Sequence, residues 1–261
     1  MHVELDDDDT TPTENTEVLA ELLARSTTAL TVVDWGVATT PGTRRRVNED
    51  AWSRRPDVYV IADGMGGRGG GALAARTAID RFLQAAPDAD QLRDAVATIN
   101  DEVVREAMSW GFEHVGTTLL AAVLGGPVVT VVHVGDSRAY RRSGDRFDLL
   151  TDDHNVRGEL LAAGLDVAEY RDKGVALHGL TSFIGLEHDV PRIDVIAVPM
   201  RVGDRLLLCT DGVYRQLDDD QLRAGVTAGS CTDAAEQLVE EADTAGGRDN
   251  ATAMVLEMGV P

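Results

Sequence analysis

A single lysine, Lys173, stands beside 23 arginines, and these 24 basic residues face 45 acidic ones, a net charge of −21. So little positive charge excludes a nucleic-acid binder working by bulk attraction. The bias of arginine over lysine, and of 30 Asp over 15 Glu, suits a GC-rich or salt-adapted genome and concerns solvation rather than chemistry. The two cysteines, Cys209 and Cys231, are too few for a disulfide framework. Nothing near Met1 has the basic-then-apolar layout of a secretory signal, so the expectation is a reducing, cytoplasmic setting. Long apolar runs are missing too. The longest, Leu119 to Val134, is interrupted by Gly125, Gly126 and Pro127 and falls short of the roughly 20 unbroken residues of a membrane span. It reads as two strands and a turn, with no membrane partner.

What is present is enough for a large core: 261 residues, 43% hydrophobic and 26% charged. Residues 1–28 carry Asp6 to Asp9 in a row and little large apolar content, the composition of a solvated acidic tail. Within it Val18, Leu19, Leu22 and Leu23 have helical spacing, which leaves open a short amphipathic turn that docks on a neighbour. From Leu30 the pattern is strand-like, in TVVDWGVATT and then VYVIAD at 58–63. Two amphipathic helices follow, GALAARTAIDRFLQAA and DQLRDAVATINDEVVREAMSW, then strands TTLLAAVLGG, PVVTVVHVG, SRAYRRSG and RFDLLT. Asp153 to about His178 is polar, helical in its early part, and with Gly164 and Gly174 reads as an irregular insertion. Beyond it come strands near IDVIAV and RLLLCT, helices near DDDQLRAGV and CTDAAEQLVEEADTA, and a last strand ATAMVLEM. Strands and helices are grouped rather than alternating, which predicts an α+β fold of two packed antiparallel sheets covered by helices.

Acidic residues that sit just past the ends of apolar strands form the informative set. They occur in five places: Asn48-Glu49-Asp50, Asp63-Gly64, Gly135-Asp136-Ser137, Thr210-Asp211-Gly212 and Asp249-Asn250. A rigid sheet can aim such carboxylates at one point. Hard cations such as Mg2+ and Mn2+ take oxygen ligands, so convergent carboxylates without Cys or His fit them and disfavour zinc. Singly, each Asp-Gly reads more readily as a turn than as a ligand. Together, in order, five are hard to assign to chance.

The stretches GTRRRVNEDAW (42–52), VIADGMGGRGGG (60–71), VGTTLLAAV (115–123), VHVGDSRAY (132–140), LTDDHN (150–155), LLLCTDGVY (206–214) and GGRDNATAMVL (246–256) resemble the metal-dependent serine/threonine protein phosphatases of type 2C, in their compact bacterial form. The resemblance covers about 30–260. It implies one phosphatase domain over 29–261, a four-layer αββα sandwich whose two antiparallel sheets are flanked by pairs of helices, with a flap insertion at about 155–190. It places Glu49, Asp63, the Gly64 carbonyl, Asp211 and Asp249 around two Mn2+ or Mg2+ ions, Asp63 bridging them, and Asp136 with Asp211 at a third, weaker ion. The implied reaction is hydrolysis of phosphoserine and phosphothreonine monoesters in proteins by a metal-activated water, without a phosphoenzyme. Implied partners are phosphorylated proteins, a Ser/Thr kinase and its substrates, with the chain acting as a monomer.

Arg45, four residues before Glu49, matches the family's phosphate-binding arginine, and a planar guanidinium suits a phosphomonoester dianion. Its neighbours Arg44 and Arg46 would point away if the segment were a strand, and a merely solvated basic face is the other reading. Met65 stands where animal relatives carry a proton-donating histidine, and a thioether cannot donate. Bacterial members share that methionine, which leaves the general acid to water or another group. His133, inside an apolar strand, reads as packed, and His154 as a loop hydrogen-bonder. His178-Gly179 departs from the asparagine usual in bacterial relatives, which puts the third ion's surroundings in question. A module of the same fold that binds phosphoproteins without turning them over is the alternative. Such a relative would be expected to lose Asp63, Asp211 or Asp249, and this chain keeps all three.

Overall fold

The computed structural model describes residues 30–67, 69–85, 91–112, 114–125 and 128–261. The acidic segment 1–28 and the Gly126-Pro127 turn lie outside the described residues. In chain order the strands are β1 (Thr31–Thr40), β2 (Ala51–Arg55), β3 (Val58–Ala62), β4 (Gly64–Met65), β5 (Gly116–Thr117), β6 (Leu119–Gly125), β7 (Val128–Val134), β8 (Arg138–Ser143), β9 (Arg146–Leu149), β10 (Asp194–Pro199), β11 (Arg205–Cys209) and β12 (Ala251–Gly259). The helices are α1 (Gly70–Ala85), α2 (Leu92–Ser109), α3 (Val156–Ala162), α4 (Val167–Asp172), α5 (Asp211–Tyr214), α6 (Asp219–Gly225) and α7 (Cys231–Ala245).

Two five-stranded antiparallel sheets, ordered β1-β12-β11-β8-β9 and β10-β7-β6-β3-β2, lie face to face, and β4 pairs with β5 beside them. Three apolar clusters separate four layers. Tyr59, Ile61, Leu120, Leu206, Leu208, Met254 and Leu256 fill the space between the sheets. Val58, Val60, Ala62 and Leu119 on the opposite faces of β3 and β6 pack on Ala75, Ile79, Phe82, Val96 and Ile99 of α1 and α2. Leu207, Cys209, Ala253 and Val255 pack on Leu222, Ala235 and Leu238 of α6 and α7. Successive strand residues point to opposite faces, so a strand covered on both sides carries an unbroken apolar run. That is why LLLC at 206–209 is entirely buried. The αββα sandwich expected from the sequence is the fold observed, with the helices of the second outer layer being α5, α6 and α7.

Strand ends matter most for the site. Ala51 pairs with Ala62, Leu119 with Val134, and Cys209 with Ala253. The start of β2, the ends of β3 and β7, the end of β11 and the start of β12 therefore share one edge of the sandwich. Glu49 and Asp249 precede their strands instead of following them, which corrects the simpler picture of five strand C-termini. Antiparallel pairing places starts and ends side by side, so the convergence survives the correction.

Residues 155–190 fold as α3, α4 and irregular chain. Asn155 caps α3 by accepting the Gly158 N–H, and Asp166 caps α4 by accepting the Ala168 N–H. The segment is tied to the core where Thr117 bridges Ile184 and Asn155 bridges Leu180. Among the described residues no helix is long and apolar enough to cross a membrane.

Candidate metal centre

Asp63 leaves the end of β3 with its backbone fully engaged. Its N–H donates to Thr118 Oγ1 at 2.9 Å, and its carbonyl accepts from the Thr118 N–H and Thr117 Oγ1, both at 2.9 Å. The next residue, Gly64, lies against Gly71 at the start of α1, where a Cβ on either would collide with the other's backbone. A glycine pair is the sequence's way of letting a loop and a helix touch this closely.

The loop before β2 supplies two candidate groups, Arg45 and Glu49. Residues 41–50 form turns, not a strand, with Gly42 at φ +71° and the Thr43 N–H donating to the Gly247 carbonyl at 2.8 Å. Strand alternation therefore does not govern Arg44, Arg45 and Arg46, and all three side chains are exposed. Asn250 holds the loop: its Oδ1 accepts the Glu49 N–H at 2.9 Å, and its Nδ2 donates to the carbonyls of Pro41 and Val47 at 3.1 and 3.0 Å. Arg45 Nη2 donates to Asp249 Oδ2 at 2.7 Å, and this bond is the main reason its pKa is raised.

Around these elements opens a cavity of about 370 Å3 lined by Arg45, Glu49, Asp63, Gly64, Met65, Asp136, Arg215, Asp211 and Asp249 among others. Every candidate residue singled out from the sequence for metal or phosphate thus reaches one cavity. Burial, followed by the charges of Asp50, Asp211, Asp136 and Asp249, pushes the Asp63 carboxyl well above the usual carboxylate range. Burial likewise pushes Asp211 up to about 7, against the opposing pull of Arg215.

Sequence reading missed two contributors. Asp50 accepts hydrogen bonds through Oδ2 from Thr252 Oγ1 at 2.6 Å and Thr210 Oγ1 at 2.9 Å, and burial raises its pKa to about 6. Arg215 donates to Asp211 Oδ2 at 2.7 Å and to Asp136 Oδ2 at 3.1 Å. Asp50 sat in a quoted motif but carried no role there, and Arg215 is visible in sequence only as a residue four after Asp211.

The donor set fits divalent cations. Glu49 Oε1 and Asp50 Oδ1 are buried with no hydrogen-bond partner, and buried carboxylate oxygens left so are costly unless a cation meets them. Oxygen ligands without Cys or His match Mg2+ and Mn2+.

His133, His154 and Asp194 form a separate group whose candidate ligand atoms lie within 4.8 Å of one another. His154 Nδ1 accepts the Gly135 N–H at 3.1 Å, so the ring proton sits on Nε2 and is donated to Asp194 Oδ2 at 2.9 Å. His133 is fully buried, and that burial lowers its pKa to about 3. Neither histidine lines the cavity, in keeping with the packed and hydrogen-bonding readings. His178 does line it, and it also lines an adjoining pocket of about 510 Å3 with Arg138, Arg157, Arg215 and Arg248.

Comparison with known proteins gives a consistent result. The protein phosphatase 2C family profile matches residues 43–250. A serine/threonine phosphatase, stp, of Listeria innocua is 30% identical over 216 residues, covering 77% of this chain and 84% of its own length. The crystal structure of the PPM Ser-Thr phosphatase MsPP from Mycobacterium smegmatis in complex with cacodylate is 34% identical with a TM-score of 0.77, covering 88% of this chain and all of that one. The catalytic domain of the serine threonine protein phosphatase PstP, in complex with 2 manganese ions, is 26% identical with a TM-score of 0.75, covering 88% of this chain and 99% of that one.

Proposed function

This chain belongs to the protein phosphatase 2C family, and from that premise we propose which of its residues carry the reaction. The protein is a metal-dependent protein serine/threonine phosphatase. In our reading Glu49, Asp63, Asp211, Asp249 and the Gly64 carbonyl would hold a pair of Mn2+ or Mg2+ ions, and Arg45 would take the phosphate. The observation that carries this is the meeting of those residues in one 370 Å3 cavity, with a Glu49 oxygen left unpartnered there and an Asp50 oxygen buried and unpartnered next to Asp63.

When bound, two divalent cations supply an acidified water as nucleophile and neutralise charge on the phosphoryl oxygens. The chain's residues do the rest. Asp63, fixed through its backbone by Thr117 and Thr118, holds a carboxylate at the cavity base whose position does not depend on a mobile loop. Asp50 is held by two threonine hydroxyls and adds negative charge next to Asp63, a repulsion that a bound cation would offset. Arg45, half exposed and bonded to Asp249, can turn its remaining N–H groups to phosphoryl oxygens as paired charge-assisted hydrogen bonds. Met65 gives no proton, so the leaving serine or threonine oxygen takes its proton from water or from another group in the cavity.

The substrates are phosphoproteins, and we read them as targets of a Ser/Thr kinase. The arginines of the adjoining pocket, Arg157 and Arg248 among them, would meet the flanking residues of such a chain. The cytoplasm is the proposed location, because Cys209 and Cys231 are both free thiols, as a reducing compartment keeps them. A monomer is proposed, and sedimentation would report it. Residues 29–261 are read as one phosphatase domain with 155–190 as its flap.

Hydrolysis of an aryl phosphomonoester, assayed with and without Mn2+ and in Asp63→Ala, tests the proposal. Metal-dependent turnover of the monoester, lost in the variant, is expected. Preference for a phosphodiester, or turnover indifferent to Mn2+, would overturn it.

A further inference from the structure

The acidic cluster is neutralised unevenly. On the flap side, Arg215 forks across Asp211 Oδ2 and Asp136 Oδ2 at 2.7 and 3.1 Å, and Arg138 grips Asp153 through Nε and Nη2 at 2.7 and 2.8 Å. The Arg138 guanidinium also stacks 3.8 Å over the Tyr214 ring, whose residue precedes Arg215 in the chain. Asn155 Nδ2 adds a donor to the same Asp136 Oδ2 at 3.2 Å. On the inner side, no basic group among the described residues bonds to Glu49, Asp50 or Asp63, and two of their oxygens are orphaned. The oxygens that ask for a cation are thus on one side, and those already answered by arginine are on the other.

From this asymmetry we propose that Arg215 is a built-in cation that stands where Asp136 and Asp211 would otherwise hold a third divalent ion. The inference rests on the paired-ion reading above and departs from the three-ion expectation for Asp136. Arg215 lies one helical turn beyond Asp211, on the chain that leaves α5, so its side chain reaches back over the residue it pairs with. The guanidinium is always charged and planar, and it presents two donors to two carboxylates. A tethered group competes at an effective concentration on the order of millimolar or more. A weakly held third ion must displace it and also approach its positive charge, so the site is closed to such an ion. Asp211 then serves two neighbours at once, the inner pair of ions and the guanidinium.

Counting bound Mn2+ by equilibrium dialysis at millimolar metal, with thermal melting to verify folding, tests the assignment. Wild type should bind two ions, Arg215→Gln three, and the double variant Arg215→Gln with Asp136→Asn two again. Asp136→Asn alone should leave the wild-type count at two, because Asp136 holds an arginine there. That variant decides the matter if Arg215→Gln does not fold. Three ions in wild type, falling to two in Asp136→Asn, would overturn the proposal. So would a folded Arg215→Gln that still binds two. Fewer than two in wild type would overturn the paired-ion reading and this inference with it.

Discussion

Arg45 and Asp249, 204 positions apart in the chain, are joined by a 2.7 Å hydrogen bond at the rim of the acidic cavity. The arginine comes from a turn and the aspartate from the residues just before β12, so the bond joins two distant segments where both line the cavity. Losing a charged hydrogen bond to substrate costs about 1.5–3 kcal/mol, roughly 10- to 100-fold in kcat/KM. Arg45→Ala should show that loss mainly as a raised KM, while Mn2+ affinity is retained. Lysine at this position should recover only part of it, because a point charge cannot fork onto two oxygens. A variant that loses metal instead would mean that Arg45 organises Asp249 rather than phosphate.

Burial and four neighbouring carboxylates disfavour the charged form of Asp63 in the metal-free fold. Asp63→Asn should therefore abolish metal-dependent turnover while raising the melting temperature of the metal-free protein by a few degrees, about 1 kcal/mol or more of relieved repulsion. Differential scanning fluorimetry in chelator checks it. An unchanged or lowered melting temperature would show that the inner carboxylates do not strain the metal-free fold.

The same strain fixes a pH dependence. Asp50 and Asp211 titrate at about 6 and about 7 when folded, against 3.8 as the ordinary value. The folded, metal-free protein binds these protons before the unfolded chain does, so stability is present at low pH and is lost as pH rises through 6 and 7. Melting in chelator should rise from pH 8 to pH 5.5. With Mn2+ the trend should reverse, because protons then compete with the metal. Asp148, Asp194 and Asp233 are held below the ordinary value and titrate outside this window. His133, lowered to about 3, and the lowered His154 and His178 oppose the trend below 6.5, where the four raised carboxylates Asp50, Asp63, Asp136 and Asp211 outweigh them. A chelated protein that melts progressively lower from pH 8 to 5.5 would contradict the assignment.

Asn250 ties the 41–49 loop to the start of β12 through three hydrogen bonds. Asn250→Ala leaves the half-buried Glu49 N–H and two carbonyls without that partner, a cost of about 1 kcal/mol or more. Both metal affinity and KM should worsen, since Glu49 and Arg45 ride on the loop. Isothermal titration with Mn2+ alongside steady-state kinetics would detect it. A change in one parameter alone would show that the loop is held elsewhere.

Much of the fold was legible because both sheets are covered on two faces, so β3, β6, β7, β11 and β12 appear as valine, leucine and alanine runs. The edge strand β2, with the sequence AWSRR and a half-exposed face, carries no such run and was not read. Nor were the two-residue strands β4 and β5, or the single turn α5, which are too short for any period to show. The acidic ligand set was legible because each member abuts an apolar run. Asp50 with Thr210 and Thr252, Asn250 with Glu49, and Arg215 with Asp136 were not, since each is a contact across 79 to 202 positions that no local pattern records.

Anomalous diffraction at the manganese edge from crystals grown with Mn2+ tests the central assignment most directly. Two peaks within bonding distance of Asp63, flanked by Asp211 and Asp249, are the result this account predicts. Density gathered instead at His133, His154 and Asp194, with none among the carboxylates, would contradict it.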